Sequence, residues 1–272
     1  MLRLISIEFF KLRYTRYFWA LAGLFLVLLI AIPVGAHEFL DYLTDIGESP
    51  INIGIDANQI PLYDFIDLWQ NLTWVYSSFS VFLGFIMLIS IGNEFSYGTI
   101  KQNVIDGLSP TELFLSKLSF IGAMSLIATV AVFLIGLACG YLWSPVTEVA
   151  FIVKHLEFLP AYFFHLCAFQ LLCLCVGLVV KRTGIALALL LFYIFPIEFI
   201  AVRVTEYGWK MPWLADLYPI NALNNFIPNP FPKYILKETL TTVQFPELGI
   251  AVGYTVILGL LAFWLLAKRD LR

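Results

Sequence analysis

The chain has 272 residues and a formal charge of −3; 61% of its residues are hydrophobic and only 13% are charged. Its mean hydropathy is +0.88. A soluble globular domain holds about 45–50% apolar and about 25% charged residues, so a water-soluble fold is excluded and the solvent for most of this surface is lipid.

Residues 1–16 are basic and aromatic. Leu2, Ile5, Phe9 and Leu12 form one stripe at helical spacing, and Ile7, Phe10 and Tyr14 form another. Two stripes separated by charges predict an interfacial helix, one face in lipid and one on the bundle. A helix needs about 20 apolar residues to cross the hydrocarbon. Six stretches qualify: 17–36, 72–92, 118–143, 158–180, 184–202 and 248–267. The fold class expected is therefore an all-α integral membrane protein, with 1–272 forming a single transmembrane domain. Val34-Gly35-Ala36 resembles a cleavage site, but the apolar run before it is too long for a signal peptide, and an uncleaved anchor is expected. Two long connections remain. Residues 37–71 are acidic, and residues 203–247 hold six prolines. Loops of such length without structure are uncommon. Short helices at the membrane face are expected in the second, with Trp209, Trp213, Tyr218 and Phe226 at headgroup depth.

Orientation follows from lysine and arginine in the connections. With the N-terminus in the cytoplasm, eleven basic residues lie inside and five outside, while five acids lie inside and fourteen outside. Both termini are therefore expected in the cytoplasm. An acidic outer side and scattered inner bases argue against nucleic acid as a partner.

Polar residues inside the spans are read first as packing. Ser77, Ser80 and Gly84 recur at helical spacing, as do Gly122, Ser125, Thr129, Gly136 and Gly140. Small residues let helices approach closely in lipid, within the chain or at a dimer seam. Glu198 lies about 20 Å along the fifth span at about 1.5 Å per residue, and intramembrane carboxylates are functional candidates by default. Pro196 and Arg203 suggest that the helix is ending there, with the carboxylate paired or wet. His165 and Gln170 are read as packing hydrogen-bond partners rather than substrate ligands. Cys139, Cys167, Cys173 and Cys175 all lie in apolar runs. Cys173 and Cys175 lack the two-residue gap of a redox or zinc pair, so they too are read as packing.

The most informative stretch runs between the second and third spans. Ser109-Pro110-Thr111-Glu112 is a helix start: the serine caps, proline suits the first helical position, and Glu112 completes a capping box. The third helix is thus expected to begin before the membrane and to enter it near Lys117. Ahead of it, Thr99, Val104 and Ile105 belong to a predicted short helix bounded by Gly98 and Gly107. Such a helix, parallel to the membrane, is a lever that fits a groove on a partner. The plain alternative is a loop held by caps.

The run Glu94-Phe95-Ser96-Tyr97-Gly98-Thr99-Ile100, then Ser109-Pro110-Thr111-Glu112 and Ser116-Lys117, resembles the signature of type-2 ABC exporter permeases. The opening Ile7-Glu8-Phe9-Phe10-Lys11-Leu12-Arg13 and the closing Lys268-Arg269-Asp270-Leu271 are similar to the ends of such proteins. The resemblance implies a multi-pass permease subunit of a bacterial plasma (inner) membrane, pairing with a second permease copy as a homo- or heterodimer. It implies a separate ATP-binding-cassette ATPase subunit that contacts Glu94, Gly98, Thr99, Val104, Ile105, Gly107, Ser109 and Glu112. The chain itself has no phosphate-binding loop and no H-E-x-x-H. No catalytic residue, cofactor or metal is expected, because His37, His155 and His165 do not cluster with acids. A polytopic membrane enzyme or a non-transporting scaffold is the alternative, and the former would need paired catalytic groups at one depth.

Overall fold

The structure, a computed structural model, describes residues 2–45, 62–105, 107–232 and 245–268. Among these every regular element is helical. The helix α1 (Leu2–Arg13) turns at Thr15 into α2 (Arg16–Asp45). Then follow α3 (Leu68–Ser77), α4 (Ser80–Ser96), α5 (Thr99–Ile105) and α6 (Pro110–Trp143). After α7 (Val149–Ile152) come α8 (Phe158–Val180), α9 (Thr183–Phe192) and α10 (Phe199–Arg203). Two short helices, α11 (Pro212–Ala215) and α12 (Pro219–Asn225), precede α13 (Phe245–Lys268).

Among the described residues, five helical stretches are long and apolar enough to cross a membrane: Arg16–Tyr42, Pro110–Trp143, Phe158–Val180, Thr183–Gly208 and Glu247–Ala267. A sixth crossing is possible if α3 and α4, which meet at 41°, count as one broken span. Together with the composition this is a multi-pass helical membrane protein. Helix α8 is the hub, with 61% of its apolar window buried against 17–39% for the other four. It packs on α3, α4, α6 and α13. Glycines allow the close approaches. A side chain at Gly84 would strike Phe169 and Cys173, and one at Gly140 would strike the Phe65 ring. Leu126, Val130 and Leu134 on α6, and Leu189 and Phe192 on α9, point outward, as side chains facing lipid should.

Three expectations need correction. The second span is not one helix over 72–92. It begins at Leu68, breaks at Ser78–Phe79 and runs to Ser96. At the break the Ser77 carbonyl faces Nε2 of His165 at 3.3 Å, a side chain inserted where the helical ladder would continue. The fifth span does not end near Glu198. It continues to Gly208 through two π-helical stretches, Tyr193–Glu198 and Val204–Gly208. Pro196 lacks an N–H, and the wider turn absorbs it without leaving the helix. The helix of the first span, α2, extends to Asp45 rather than stopping at residue 36, so residues 37–45 are not loop. The prolines of 203–247 do start short helices, α11 at Pro212 and α12 at Pro219. Residues 46–61 and 233–244 lie outside the described residues.

Candidate functional site

The site forms where α1 meets the end of α4 and the second turn of α6. Glu8 and Lys11 are three residues apart, so they share one face of α1. That face is anchored by buried Leu12 and by Phe9, whose ring meets Phe120 edge-on at 5.5 Å. Phe10 and Tyr14, of the second stripe, point away and are exposed.

Lys117 sits at the centre with none of its surface exposed. Its Nζ donates to Glu8 Oε2 at 2.8 Å and to Glu94 Oε1 at 2.6 Å. Lys11 Nζ reaches the same Glu94 oxygen at 2.9 Å and Glu8 Oε1 at 3.4 Å. The Ser116 hydroxyl donates to Glu8 Oε1 at 2.9 Å. Two ammonium groups thus face two carboxylates, and Glu8 and Glu94 are both buried. Burial pushes the Glu8 carboxyl up, but Lys117, Lys11 and the hydrogen bonds from Lys117 and Ser116 outweigh it and hold it below the usual carboxylate range. Buried ion pairs gain little net stability, because desolvation offsets the attraction. Removing one partner nonetheless strands the other charge. The arrangement therefore acts as a geometric lock that joins three helices at one point.

Between the two locked arms lies α5. Gly98 has φ +69° and Gly107 φ +92°, a left-handed backbone that glycine adopts without strain. They bracket the helix, and the Thr99 hydroxyl donates to the Glu94 carbonyl at 3.4 Å. Ser109 caps α6 by accepting from Glu112 N–H at 3.2 Å, and Glu112 Oε2 accepts from Ser109 N–H at 2.9 Å, the reciprocal capping box. Tyr97 and Ile105 are large apolar side chains left 80% and 76% exposed at this end. Val104 lies on the backbone of α5; its side chain is outside the described residues.

The intramembrane candidates lie elsewhere. Glu198 is buried, and its Oε1 accepts from Asn221 N–H of α12 at 2.7 Å. His165 stands between two backbone carbonyls, Leu223 of α12 at 3.0 Å and Ser77 at 3.3 Å. Together these two residues hold α12 from both sides. Gln170 donates to Ser125 Oγ at 2.8 Å and to the Leu166 carbonyl at 3.3 Å. Gln170 is therefore a link between α8 and α6, remote from α12. Among the described residues no three His, Cys, Asp or Glu side chains converge as metal ligands.

Sequence reasoning singled out Glu94 but missed its partners. Lys117 was visible only as the point where α6 meets the membrane, and Glu8 only as part of a basic segment. The available signal was a lone acid in that segment, at helical spacing from Lys11. The capping box, by contrast, is read directly from four consecutive residues.

No curated protein matches the chain. A family described as "Protein of unknown function (DUF2705)" matches residues 51–272, which takes in α3 to α13 with Glu94 and Lys117 of the lock. The chain belongs to this DUF2705 family.

Proposed function

We propose that this chain is the membrane-spanning permease subunit of an ABC exporter, working as a dimer and driven by separate ATPase subunits. Its termini lie in the cytoplasm, with α1 in the inner membrane interface and α5 as the coupling helix. The observation that carries the reading is α5 itself. It is a short helix bracketed by Gly98 and Gly107, with exposed Ile105 at its end and exposed Tyr97 just ahead of it, while its two flanking spans are tied together by Lys117 and Glu94. Exposed apolar side chains beside a rigid helix are what a partner's groove would bury. A push on α5 then moves the ends of α4 and α6 together and carries α1 with them. ATP binding would favour one of two conformations through the ATPase subunit's differing affinity for them. The resemblance in residues 94–117 supports the same reading.

The test is co-purification of an ATPase subunit with the chain, followed by ATP turnover in reconstituted membranes. Replacing Tyr97 and Ile105 by aspartate should abolish subunit binding, or leave binding intact and uncouple turnover from transport. If neither changes, α5 is only a capped loop and the transporter reading loses its main support.

A further inference from the structure

At the end of the bundle opposite the lock, α12 is bordered by two adjoining cavities of about 290 and 470 Å³. They share Arg203, Asn221, Asn224 and Asn225, and so form one cleft. Among the described residues, four carboxyl groups line it, Glu198, Glu206, Asp216 and Glu247, against one guanidinium, that of Arg203. Arg203 is already engaged: it lies 3.6 Å from Glu206, and its guanidinium stands over the Phe199 and Tyr207 rings at 5.7 and 5.6 Å. The other three carboxyls have no cation partner among the described residues.

Two of these three each have a buried oxygen without a partner among the described residues. Glu198 is 3% exposed. Its Oε1 is held by Asn221 and the Tyr193 hydroxyl lies beside the carboxyl, yet Oε2 has no hydrogen-bond partner among the described residues. Oε2 of Glu247 is buried in the same condition. A buried polar atom left unpaired is costly, and in a folded protein it asks for an explanation. The amides add acceptors. Asn221 and Asn225 commit their NH₂ groups to the Ala215 carbonyl at 3.0 Å and to Asp216 Oδ1 at 2.9 Å, and their amide oxygens have no partner among the described residues. Trp74 lines the second cavity, and an aromatic ring favours a neighbouring cation. Asp216 is pushed above its ordinary range by burial and by the charges of Glu247 and Glu206, a repulsion that a bound cation would relieve.

A compact metal ion does not fit, because no three acidic or imidazole groups among the described residues converge on one point. Carboxyls distributed along a cleft suit charges distributed along a ligand. We infer that this cleft binds an elongated organic cation carrying two or more ammonium groups, with Glu198 and Asp216 at one end and Glu247 and Trp74 at the other. Ammonium groups supply the donors that the carboxyl and amide oxygens lack, and a flexible chain between them spans the shared asparagines.

This inference does not rest on the transporter reading, since binding is measured on the isolated chain without nucleotide or partner. The probe is spermidine, titrated calorimetrically against the full chain in lipid nanodiscs, with butylammonium and magnesium as comparison cations. Spermidine should bind saturably, and butylammonium at least about tenfold more weakly, a difference of about 1.4 kcal/mol. The double variant Asp216→Asn/Glu247→Gln should weaken spermidine by a similar factor. Asn224→Asp, which adds a carboxylate at an exposed position, should tighten it. Because the last variant gains affinity, a folding defect cannot mimic the result. Absence of saturable binding overturns the inference, as do indifference to both changes and displacement by magnesium at equal concentration.

Discussion

Lys117 and Glu94 stand 23 residues apart in the chain and meet at 2.6 Å, closing a loop whose far end is α5. Because Lys117 is fully buried, it is the member whose loss should be felt most. Lys117→Met leaves two buried carboxylates sharing the one ammonium of Lys11 and should destabilise the fold by about 3–5 kcal/mol. The triple variant Glu8→Gln/Glu94→Gln/Lys117→Met removes the three buried charges together, leaving only the partly exposed Lys11, and should recover much of that loss. Thermal unfolding in detergent decides between them. Equal destabilisation by the single and triple variants would mean that packing, rather than charge, governs this point.

The capping box gives a smaller and more local effect. Ser109→Ala should cost about 0.5–2 kcal/mol and speed hydrogen exchange in the first turn of α6. Exchange at α8 should not change. Faster exchange throughout the bundle would show that the cap supports more than its own turn.

The pH response follows from Glu8. Its carboxyl is held below the ordinary range, so its contribution to docking α1 is fully present above the unfolded value of about 4.3. It is lost as the pH falls through the lowered, folded value. Acidifying from pH 7 to pH 5 should therefore leave α1 docked, with release only in stronger acid. Hydrogen-exchange protection of the α1 amides, corrected for the intrinsic pH dependence of exchange, reports docking. A fall in that protection already at pH 6 would contradict this assignment.

Glu198 is predicted to be needed for its oxygen rather than its charge where it holds α12. Glu198→Gln keeps an acceptor for Asn221 N–H and should fold as the parent does. Glu198→Ala removes it and should lower stability by about 1–3 kcal/mol. The two are compared by thermal midpoint and by trypsin cleavage after Lys210. Equal loss in both would give the charge itself a structural role.

Orientation is tested with single cysteines at exposed positions. Labels from outside intact cells should reach residues 150 and 224, but not 105 or 182. Outside labelling at 105 would invert the assignment.

What could be read from the sequence was what is local. The cap at Ser109, the glycine breaks at 98 and 107 and the short helix between them depend on neighbours a few residues away, and each is found in place. The lock depends on Glu8 meeting residues 108 and 109 positions later, a tertiary fact with no periodicity to announce it. The break at Ser78 was hidden for a similar reason, since the His165 ring that faces Ser77 comes from another helix. At Pro196 the sign was visible and misread. In water a proline there would end a helix, but in lipid an open backbone has no solvent for its polar groups, and a π turn is the cheaper adjustment.

The lock has a consequence in electrical terms. Its two ammonium groups and two carboxylates balance. Moving one elementary charge through the membrane field involves about 2.3 kcal/mol per 100 mV. A rigid shift of α1 with the ends of α4 and α6 carries no net charge from these four residues, so membrane voltage does no work on the lock itself. A lysine moving alone would feel the full field, whereas bound between Glu8 and Glu94 it travels as part of a neutral body.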